Sequence, residues 1–168
     1  MEIILKSKKY GITKVCLIDA EDLQLILKYK WHLQKDKRAK TYYATSTQRC
    51  SLTGKQRTVG MHRLILGITD KNVFVDHIDH DGLNNQKSNL RPCSKAENSM
   101  HRNGPNRNSA INYIGVYRNR DKFRSNITIN GKYTNLGTVA TAEEAARLYD
   151  AAAKKHFGEF ATLNFKEE

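Results

Sequence analysis

Four polar residues in the middle of the chain have the types and the order that hydrolysis of a phosphodiester bond requires. Asp76 and His77 are adjacent in VDHIDHDG, Asn89 follows in NLR, and Asn98 lies further on in AENS. Histidine has an ordinary pKa of ~6.5, so it can accept a proton from water at neutral pH. Carboxylate and amide oxygens are hard ligands that suit Mg²⁺. The pattern predicts that His77 activates water while Asp76 and Asn98 hold a divalent cation.

These residues fall on short predicted elements of secondary structure. The β-branched run Val73–Asp76 predicts a short strand, and a second short strand is expected around Leu90–Arg91. Ser94 and Glu97 form the spacing of a capping box, which predicts a helix running to about Arg102. We therefore expect a strand, a loop, a strand and a helix, with Asn98 on the helix.

Together these segments resemble the HNH endonucleases, whose active site is the ββα-metal motif. The resemblance rests on Asp76-His77, on Asn89-Leu90-Arg91 and on Asn98 in a helix. It implies that His77 is the general base, and that Asp76 and Asn98 hold a single divalent metal. It also implies that Asn89 completes the catalytic machinery by hydrogen-bonding the loop backbone and orienting the strand of the histidine. The metal would be Mg²⁺, with Mn²⁺ as the alternative, and no zinc is expected. Upstream, 61–64 (MHRL) resembles a segment that often precedes the motif in phage and intron-encoded members.

Other polar residues near the motif have structural interpretations. His62 is expected to pack or hydrogen-bond rather than to catalyse. His80 occupies a loop, where contact with a phosphate is the alternative to a structural role. Asp79 and Asp81 are expected to form turns through hydrogen bonds from side chain to backbone. Asn84-Asn85 is interpreted as loop scaffolding.

The C-terminal third predicts a small sheet followed by one helix. Three runs resemble strands, Tyr113–Arg118, Lys122–Ile129 and Lys132–Gly137. The last two are joined by Asn130-Gly131, a strong signal for a hairpin. A second capping box, Thr141-x-x-Glu144, predicts a helix that ends at Gly158. Its packed face is expected to contain Ala145, Leu148, Tyr149, Ala152 and His156.

This region resembles the Apetala-two/ethylene-response-factor (ERF) DNA-binding domain of plants, which is also found in mobile-element endonucleases. The resemblance covers about 113–165 and rests on several short segments: 115–117, 122–123, 130–132, 136–137, 141–146, 149–152 and 163–165. It implies a three-stranded antiparallel sheet that packs on one helix and enters the major groove. The plant domains have arginines and tryptophans at several positions where this chain has Ile114, Tyr117, Phe123 and Asn135, so their target sequence cannot be transferred.

Charge supports the same orientation of the sheet. Residues 113–138 contain five Lys and Arg against one acid, whereas 141–157 contain three of each. A basic sheet over a neutral helix suits contact with phosphates. Strand alternation directs Val116, Ile127 and Leu136 toward the helix. The predicted DNA-binding residues are Tyr117, Arg118, Arg120, Lys122, Arg124, Asn126, Thr128, Lys132, Tyr133 and Asn135.

The first sixty residues contain 13 Lys and Arg against 5 acids and carry no catalytic motif. The cluster of Lys35, Lys37, Arg38 and Lys40 is compatible with phosphate contacts or with a solvated hairpin. The patterns predict strands at 3–5, 15–18, 31–33, 41–47 and 57–61. A short helix is predicted at 20–29 with Asp19 as its N-cap, and one helical turn at 62–66.

Composition sets the partner class. The net charge of +12 favours a polyanion, and 39% apolar residues allow compact folding. No 18-residue apolar run and no N-terminal signal pattern occurs, so we expect no membrane partner and a cytoplasmic site in a bacterium or phage-infected host. Three widely spaced cysteines indicate neither zinc nor disulfides. The oligomeric state is open, with a monomer favoured.

The sequence thus predicts an α+β protein. A mixed β domain at 1–102 bears the ββα-metal motif at about 73–102, supported by a basic β-rich part at 1–70, and 103–112 forms a linker. Residues 113–165 form the ERF-like domain. The expected function is cleavage of double-stranded DNA by a homing or phage nuclease. The rivals are a non-catalytic DNA-binding regulator with a relic HNH motif and, more weakly, an RNA-binding or RNA-cutting protein.

Overall fold

The chain divides into two compact units. The computed structural model describes residues 1–7, 10–36, 41–49, 54–101 and 111–165. Backbone contacts group Met1–Ser94 into one unit and Lys95–Glu168 into the other. Several small antiparallel sheets are combined with few helices, as the predicted α+β class requires. Within the described ranges, no helix is both long and apolar enough to cross a membrane.

Some sequence-based predictions concern residues outside these ranges. They include most of the expected linker, the basic residues Lys37, Arg38 and Lys40, and one of the three cysteines, Cys50. These predictions stay open.

The described part of the first unit contains two hairpins and one three-stranded sheet, all antiparallel. β1 (Glu2–Ser7) pairs with β2 (Ile12–Leu17). The three-stranded sheet has the order β3-β4-β5, and the second hairpin joins β6 to β7. The bounds are β3 (His32–Lys35), β4 (Tyr42–Arg49), β5 (Gln56–Gly60), β6 (Phe74–His77) and β7 (Leu90–Cys93). Each predicted strand of this unit is confirmed, with ends that shift by a few residues.

The helix predicted at 20–29 forms in two pieces, and Asp19 occupies the N-cap position of the first piece, as predicted, but without a capping bond from its side chain. A 3-10 turn at Ala20–Asp22 leads into α1 (Leu23–Ile26), and the side chain of Asp19 makes no capping bond to it. Its carboxylate instead accepts hydrogen bonds from the backbone N–H of Lys87, at 2.8 Å, and from Nε2 of Gln86, at 3.3 Å. The carboxylate thus binds the backbone N–H of a distant residue instead of an N–H in the first turn of the helix. Rules based on neighbouring residues cannot anticipate this exchange.

One hydrophobic core unites the first unit. α2 (Met61–Ile65) packs beside the sheets, with Leu66 as its C-cap and Gly67 following at φ 64°. The core takes side chains from the N-terminal hairpin, from both helices, from the three-stranded sheet, from the loop after β6 and from β7. Its buried members are Leu5, Cys16, Ile18, Ile26, Leu33, Ala44, Met61, Ile65, Leu83 and Leu90. The β6–β7 hairpin therefore has no core of its own, as its small size requires.

The second unit contains a three-stranded antiparallel sheet and a long helix. The strand order is β10-β9-β8, and Asn130 and Gly131 join β9 to β10 with positive φ angles of 50° and 77°. Two positive φ angles are those of a type I′ turn, so the predicted hairpin is confirmed. The elements are α3 (Lys95–Met100), β8 (Val116–Asn119), β9 (Lys122–Ile129), β10 (Lys132–Val139) and α4 (Ala142–Phe157).

The long helix α4 begins and ends as predicted, but its packed face is partly different. Thr141 and Glu144 form both bonds of the capping box, and Gly158 follows the last helical residue. His156, predicted on the packed face, is exposed, whereas Phe157 is buried. Both positions are compatible with helical spacing, and the larger apolar side chain gains more from burial.

β8 begins three residues later than predicted because the chain turns at Gly115. This glycine has φ 75°, and a Cβ there would lie 2.1 Å from the ring of Tyr149. The backbone of Ile114, just before this turn, is hydrogen-bonded by the side chain of Asn164 rather than by a neighbouring strand. Asn164 accepts from the N–H of Ile114 at 2.6 Å and donates to its carbonyl at 3.2 Å. Asn164 also donates to the buried carboxylate of Asp150 at 3.0 Å.

The helix α3 has its contacts in the second unit. Met100, at its last turn, packs against the cluster of buried residues formed by Ile114, Ile127, Tyr149, Ala153 and Phe157. The division between the two units comes before α3, whereas the division expected from the sequence comes after it. The domain boundaries named from the sequence stay a prediction.

Replacing Asn164 with Ala should lower the free energy of unfolding by about 2–3 kcal/mol. The substitution strands the backbone N–H and the carbonyl of Ile114, whereas Oδ1 of Asp150 keeps the backbone N–H at position 164. Each buried group left unpaired costs about 1–3 kcal/mol. Urea unfolding measures the effect, with Asn112→Ala, at an exposed position, as the control. Equal stability of the two variants would contradict this role of Asn164.

Candidate active site

The candidate site is built at the end of β6. Asp76 and His77 are its last two residues, and both side chains are buried. Register places them opposite Arg91 and Leu90 of β7. Arg91 donates to Oδ2 of Asp76 through Nε, at 2.8 Å, and through a terminal nitrogen, at 2.7 Å. This ion pair compensates the buried carboxylate and holds it against the hairpin.

Asn89 joins the two ends of the loop that follows His77. Its Oδ1 accepts from the backbone N–H of Asp79 at 3.0 Å, and its Nδ2 donates to the carbonyl of Asn84 at 2.8 Å. The backbone carbonyl of Asn89 accepts from Ile78 at 3.0 Å. A single buried amide therefore fixes the backbone immediately after the histidine. These are contacts of the kind that the family resemblance implies for this position.

The loop itself is a series of side-chain turns. Asp79 accepts from the N–H of Asp81, and Asp81 accepts from the N–H of Leu83, at 2.8 and 3.0 Å. Both aspartates are thus the turn residues predicted from the sequence. His80 has φ 63°, and its N–H donates to the carbonyl of His77 at 2.9 Å. These hydrogen bonds within the loop contribute to its conformation.

The rings of His77, His62 and Tyr43 contact one another at the site. The His77 ring lies 5.2 Å from that of His62, nearly perpendicular to it, and 5.7 Å from that of Tyr43. Tyr43 and His62 also contact each other, with centroids 5.9 Å apart. Tyr43 belongs to β4 and His62 to α2, so the rest of the unit walls in the histidine on two sides.

Two glycines make room for these rings. A Cβ on Gly60 would lie 2.7 Å from the His62 ring, and a Cβ on Gly82 would lie 2.5 Å from the Tyr43 ring. Real Cβ atoms do not approach so closely, so any larger residue at either position would displace a ring. The rings beside His77 are placed by close packing as well as by hydrogen bonds.

Burial controls the protonation of both histidines. It lowers the pKa of His77, against the opposing influence of Asn85 and of the carboxylates of Asp79, Asp76 and Asp81. Burial lowers the pKa of His62 to about 3, with further lowering by His77 and Arg63. Both imidazoles are therefore neutral at pH 7, the state in which a histidine can accept a proton.

The metal ligands expected from the sequence fall in different units. Asp76 is in the first unit, whereas Asn98 is exposed on α3 in the second. In the part of the chain that the structure describes, no three His, Cys, Asp or Glu residues cluster as a metal site. Asp76 carries a carboxylate and Asn98 an amide oxygen, and both are ligand types that suit Mg²⁺, which keeps several waters and binds few protein ligands.

The register of the second unit sorts the residues predicted to bind DNA. Tyr117 pairs with Arg124, Asn126 with Asn135, and Thr128 with Tyr133, which places all six side chains on one face of the sheet. Lys122 shares that face. Arg118 and Lys132 pair with Phe123 and Ile129 and so fall on the other face, and Arg120 lies in the turn at φ 58°.

One residue of this face differs from the prediction. Asn126 was expected to project outward, yet it is only 3% exposed, because it lies on the central strand among larger side chains. Tyr117 and Tyr133 are 43% and 58% exposed. These two tyrosines, rather than Asn126, are available to a partner.

Sequence reasoning missed Tyr43 and Arg91 as neighbours of the site and assigned Asn85 only to scaffolding. Arg91 had a detectable signal, since adjacent antiparallel strands bring it opposite Asp76. Tyr43 had none, because only the tertiary packing of β4 brings it to His77.

Replacing His62 with Phe should flatten the pH dependence of stability. The unfolded chain binds a proton at His62 near pH 6.5, whereas the folded protein does so only near pH 3. Stability is therefore complete above pH 6.5 and is lost as the pH falls, by up to about 1.4 kcal/mol per pH unit for one such group. Phe keeps the ring and removes the proton site. Urea unfolding at pH 7.5 and 5 measures the difference, and parallel losses in the two proteins would contradict the assignment.

Comparison with known proteins addresses the same region. Residues 59–100 match a family model described as HNH endonuclease, and they include β6, β7 and α3. The chain is 32% identical over 146 residues to an uncharacterized HNH endonuclease, L560, of Acanthamoeba polyphaga mimivirus, covering 83% of this chain and 69% of the relative. It is 31% identical over 96 residues to protein 3.8 of Escherichia phage T7, covering 56% of this chain and 78% of that protein. The extent of these matches, with Asp76, His77, Asn89 and Asn98 all inside the matched segment, shows that the chain belongs to the HNH endonuclease family.

Proposed function

We propose that this protein hydrolyses phosphodiester bonds of double-stranded DNA, with a single divalent metal and His77 as the general base. The observation that carries the proposal is the placement of Asp76 and His77 at the end of β6, where Arg91 and Asn89 hold them. A buried neutral imidazole beside a fixed carboxylate is the arrangement that base-assisted hydrolysis needs.

His77 accepts the proton of the attacking water. Burial keeps the imidazole neutral before the reaction, so its lone pair is available. The protonated ring formed in the reaction is stabilised by Asn85 and by the three carboxylates of Asp76, Asp79 and Asp81. This balance allows His77 to take up a proton and release it again within a turnover.

Asp76 and Asn98 would hold the metal, which is the pairing that the family pattern assigns. HNH nucleases generally use a divalent metal, and here Mg²⁺ is proposed with Mn²⁺ as the alternative. When bound, the metal neutralises charge on the scissile phosphate and the leaving oxygen. The role of Arg91 is to keep the Asp76 carboxylate oriented.

The second unit is proposed to bind the DNA through the exposed face of its sheet, as the ERF resemblance implies. Support comes from Lys122 and Arg124 on that face, from Arg120 in the adjoining turn, and from the two exposed tyrosines. Thr128 and Asn135 are exposed on the same face. The named relatives are viral, which supports a phage or mobile-element nuclease of the homing type.

Purified protein should nick or cut supercoiled plasmid with Mg²⁺, and EDTA should abolish the activity. His77→Ala should lower the cleavage rate by about 10²–10⁴, because the general base is lost, while DNA binding survives. His32→Ala, at an exposed position in the same unit, is the control and should cut normally. Cleavage in EDTA, or full activity of His77→Ala, contradicts the mechanism. DNA binding without any cleavage by the wild type supports the regulator instead.

Lys122→Ala and Arg124→Ala should each weaken DNA binding and flatten its salt dependence. Each phosphate that the variant no longer neutralises reduces the slope of log K against log salt by about 0.9 on B-DNA. If Arg124 meets a base edge, its removal also relaxes sequence preference. Lys154→Ala and Lys155→Ala, at exposed positions of α4, are the matched controls. Binding measured across a salt series checks this, and a larger effect of the helix variants would contradict the proposed face.

A further inference from the structure

Asn85 is a loop residue that is anchored to another part of the unit. It is fully buried, and its backbone N–H donates to the carbonyl of Leu17, the last residue of β2, at 2.8 Å. The N–H of Leu17 in turn donates to the carbonyl of Leu83 at 2.8 Å. The N-terminal hairpin therefore fixes this point of the loop independently of the β6–β7 hairpin.

The orientation of the Asn85 amide is fixed by sulfur. Its Nδ2 donates a hydrogen bond to Sγ of Cys16 at 3.2 Å. The Cys16 thiol in turn donates to Sδ of Met61 at 3.6 Å. Burial raises the pKa of Cys16 to about 11, so the group is a thiol at neutral pH. An asparagine amide has one donating and one accepting end. With the donating end held by Cys16, the accepting Oδ1 faces away from the sulfur.

Two buried polar atoms, an acceptor on this amide and a ring nitrogen of His77 that can donate, lack a well-formed hydrogen bond. Among the described residues, Oδ1 of Asn85 and Nε2 of His77 are both buried without a satisfactory hydrogen bond. Both side chains belong to one buried cluster, because Cys16, which holds the Asn85 amide, contacts Met61. The ring of His62, the next residue after Met61, lies 5.2 Å from that of His77. Buried polar atoms are nearly always paired, so a small adjustment that joins these two satisfies both.

We propose that Asn85 is the positioning residue of the general base. Its Oδ1 accepts the Nε2–H of His77 and so leaves the Nδ1 lone pair for the attacking water. The inference rests on the proposed function of His77. It also assigns a role to the N-terminal hairpin, which carries no catalytic residue, because β2 and its residue Cys16 hold the amide that selects the tautomer.

His62 is the competing partner. Its Nδ1 is also buried without a partner among the described residues, and its ring contacts that of His77. Either nitrogen of a neutral His62 can be donor or acceptor, so His62 by itself does not select a tautomer. The Asn85 amide, held by Cys16, presents only an acceptor.

The decisive experiment reads the tautomer of His77 by nitrogen NMR of the full-length protein, without DNA or metal. In the wild type the proton should be on Nε2. Asn85→Leu, which removes the acceptor at similar volume, should shift the population toward Nδ1–H, whereas Asn85→Asp and His62→Phe should keep Nε2–H. Cys16→Ala should shift the tautomer population partly, and this variant replaces Asn85→Leu in the test if Asn85→Leu does not fold. A wild-type proton on Nδ1, an unchanged tautomer in Asn85→Leu or Cys16→Ala, or a shift in His62→Phe alone overturns the proposal.

Plasmid cleavage provides the second readout. Asn85→Leu should lower kcat by about 10–100-fold, the usual effect of losing a residue that orients an active-site ligand, with KM nearly unchanged. Asn85→Asp should recover most of kcat. Ile18→Val, in the same buried core, is a destabilised control that should keep wild-type kcat. A kcat loss in Asn85→Leu no greater than in this control counts against the proposal. If the wild type fails to cut, the proposed function falls, and the NMR result still decides whether Asn85 sets the tautomer.

Discussion

The attachment of the 78–89 loop to β2 is the constraint on which the site depends. A two-stranded hairpin with its connecting loop cannot bury enough apolar surface to hold a conformation alone. Here Leu83 enters the core of the first unit, and two backbone hydrogen bonds link the loop to Leu17. Because the loop is anchored at its middle by Asn85 and at its ends by Asn89, His77 projects from a rigid frame.

The electrostatics of the site follow from this enclosure. The same burial that keeps His77 neutral also requires that the Asp76 carboxylate be compensated, and Arg91 does so from the facing strand. Carboxylates in the loop oppose the effect of burial on the histidine. The site thus combines a low effective dielectric with fixed polar partners, and in such surroundings charge formed during a reaction is stabilised by groups already in place.

The buried polar cluster around His77 and the sheet face proposed to bind DNA belong to different units. The first contains the buried polar cluster, and the second presents tyrosines and basic side chains on one face of its sheet. Conformational order in the second unit also depends on a polar contact, since Asp150 and Asn164 tie the C-terminal segment to the start of β8. Part of the basic charge, Lys122 and Arg124, thus lies on this sheet face, while acids of the middle segment form turns and an ion pair.

The amino-acid sequence by itself determined the order of strands and helices, the Asn130-Gly131 turn and the α4 capping box, and it singled out Asp76, His77 and Asn89 as candidate site residues. Each depends on residues close in the chain, or on a motif with fixed spacing. Only tertiary structure decided what lies around them. It diverted Asp19 from its helix to Lys87, exposed His156, buried Asn126 and brought Tyr43, His62 and Asn85 to the histidine. Those outcomes depend on competition between distant partners for burial and for hydrogen bonds, which no local pattern records.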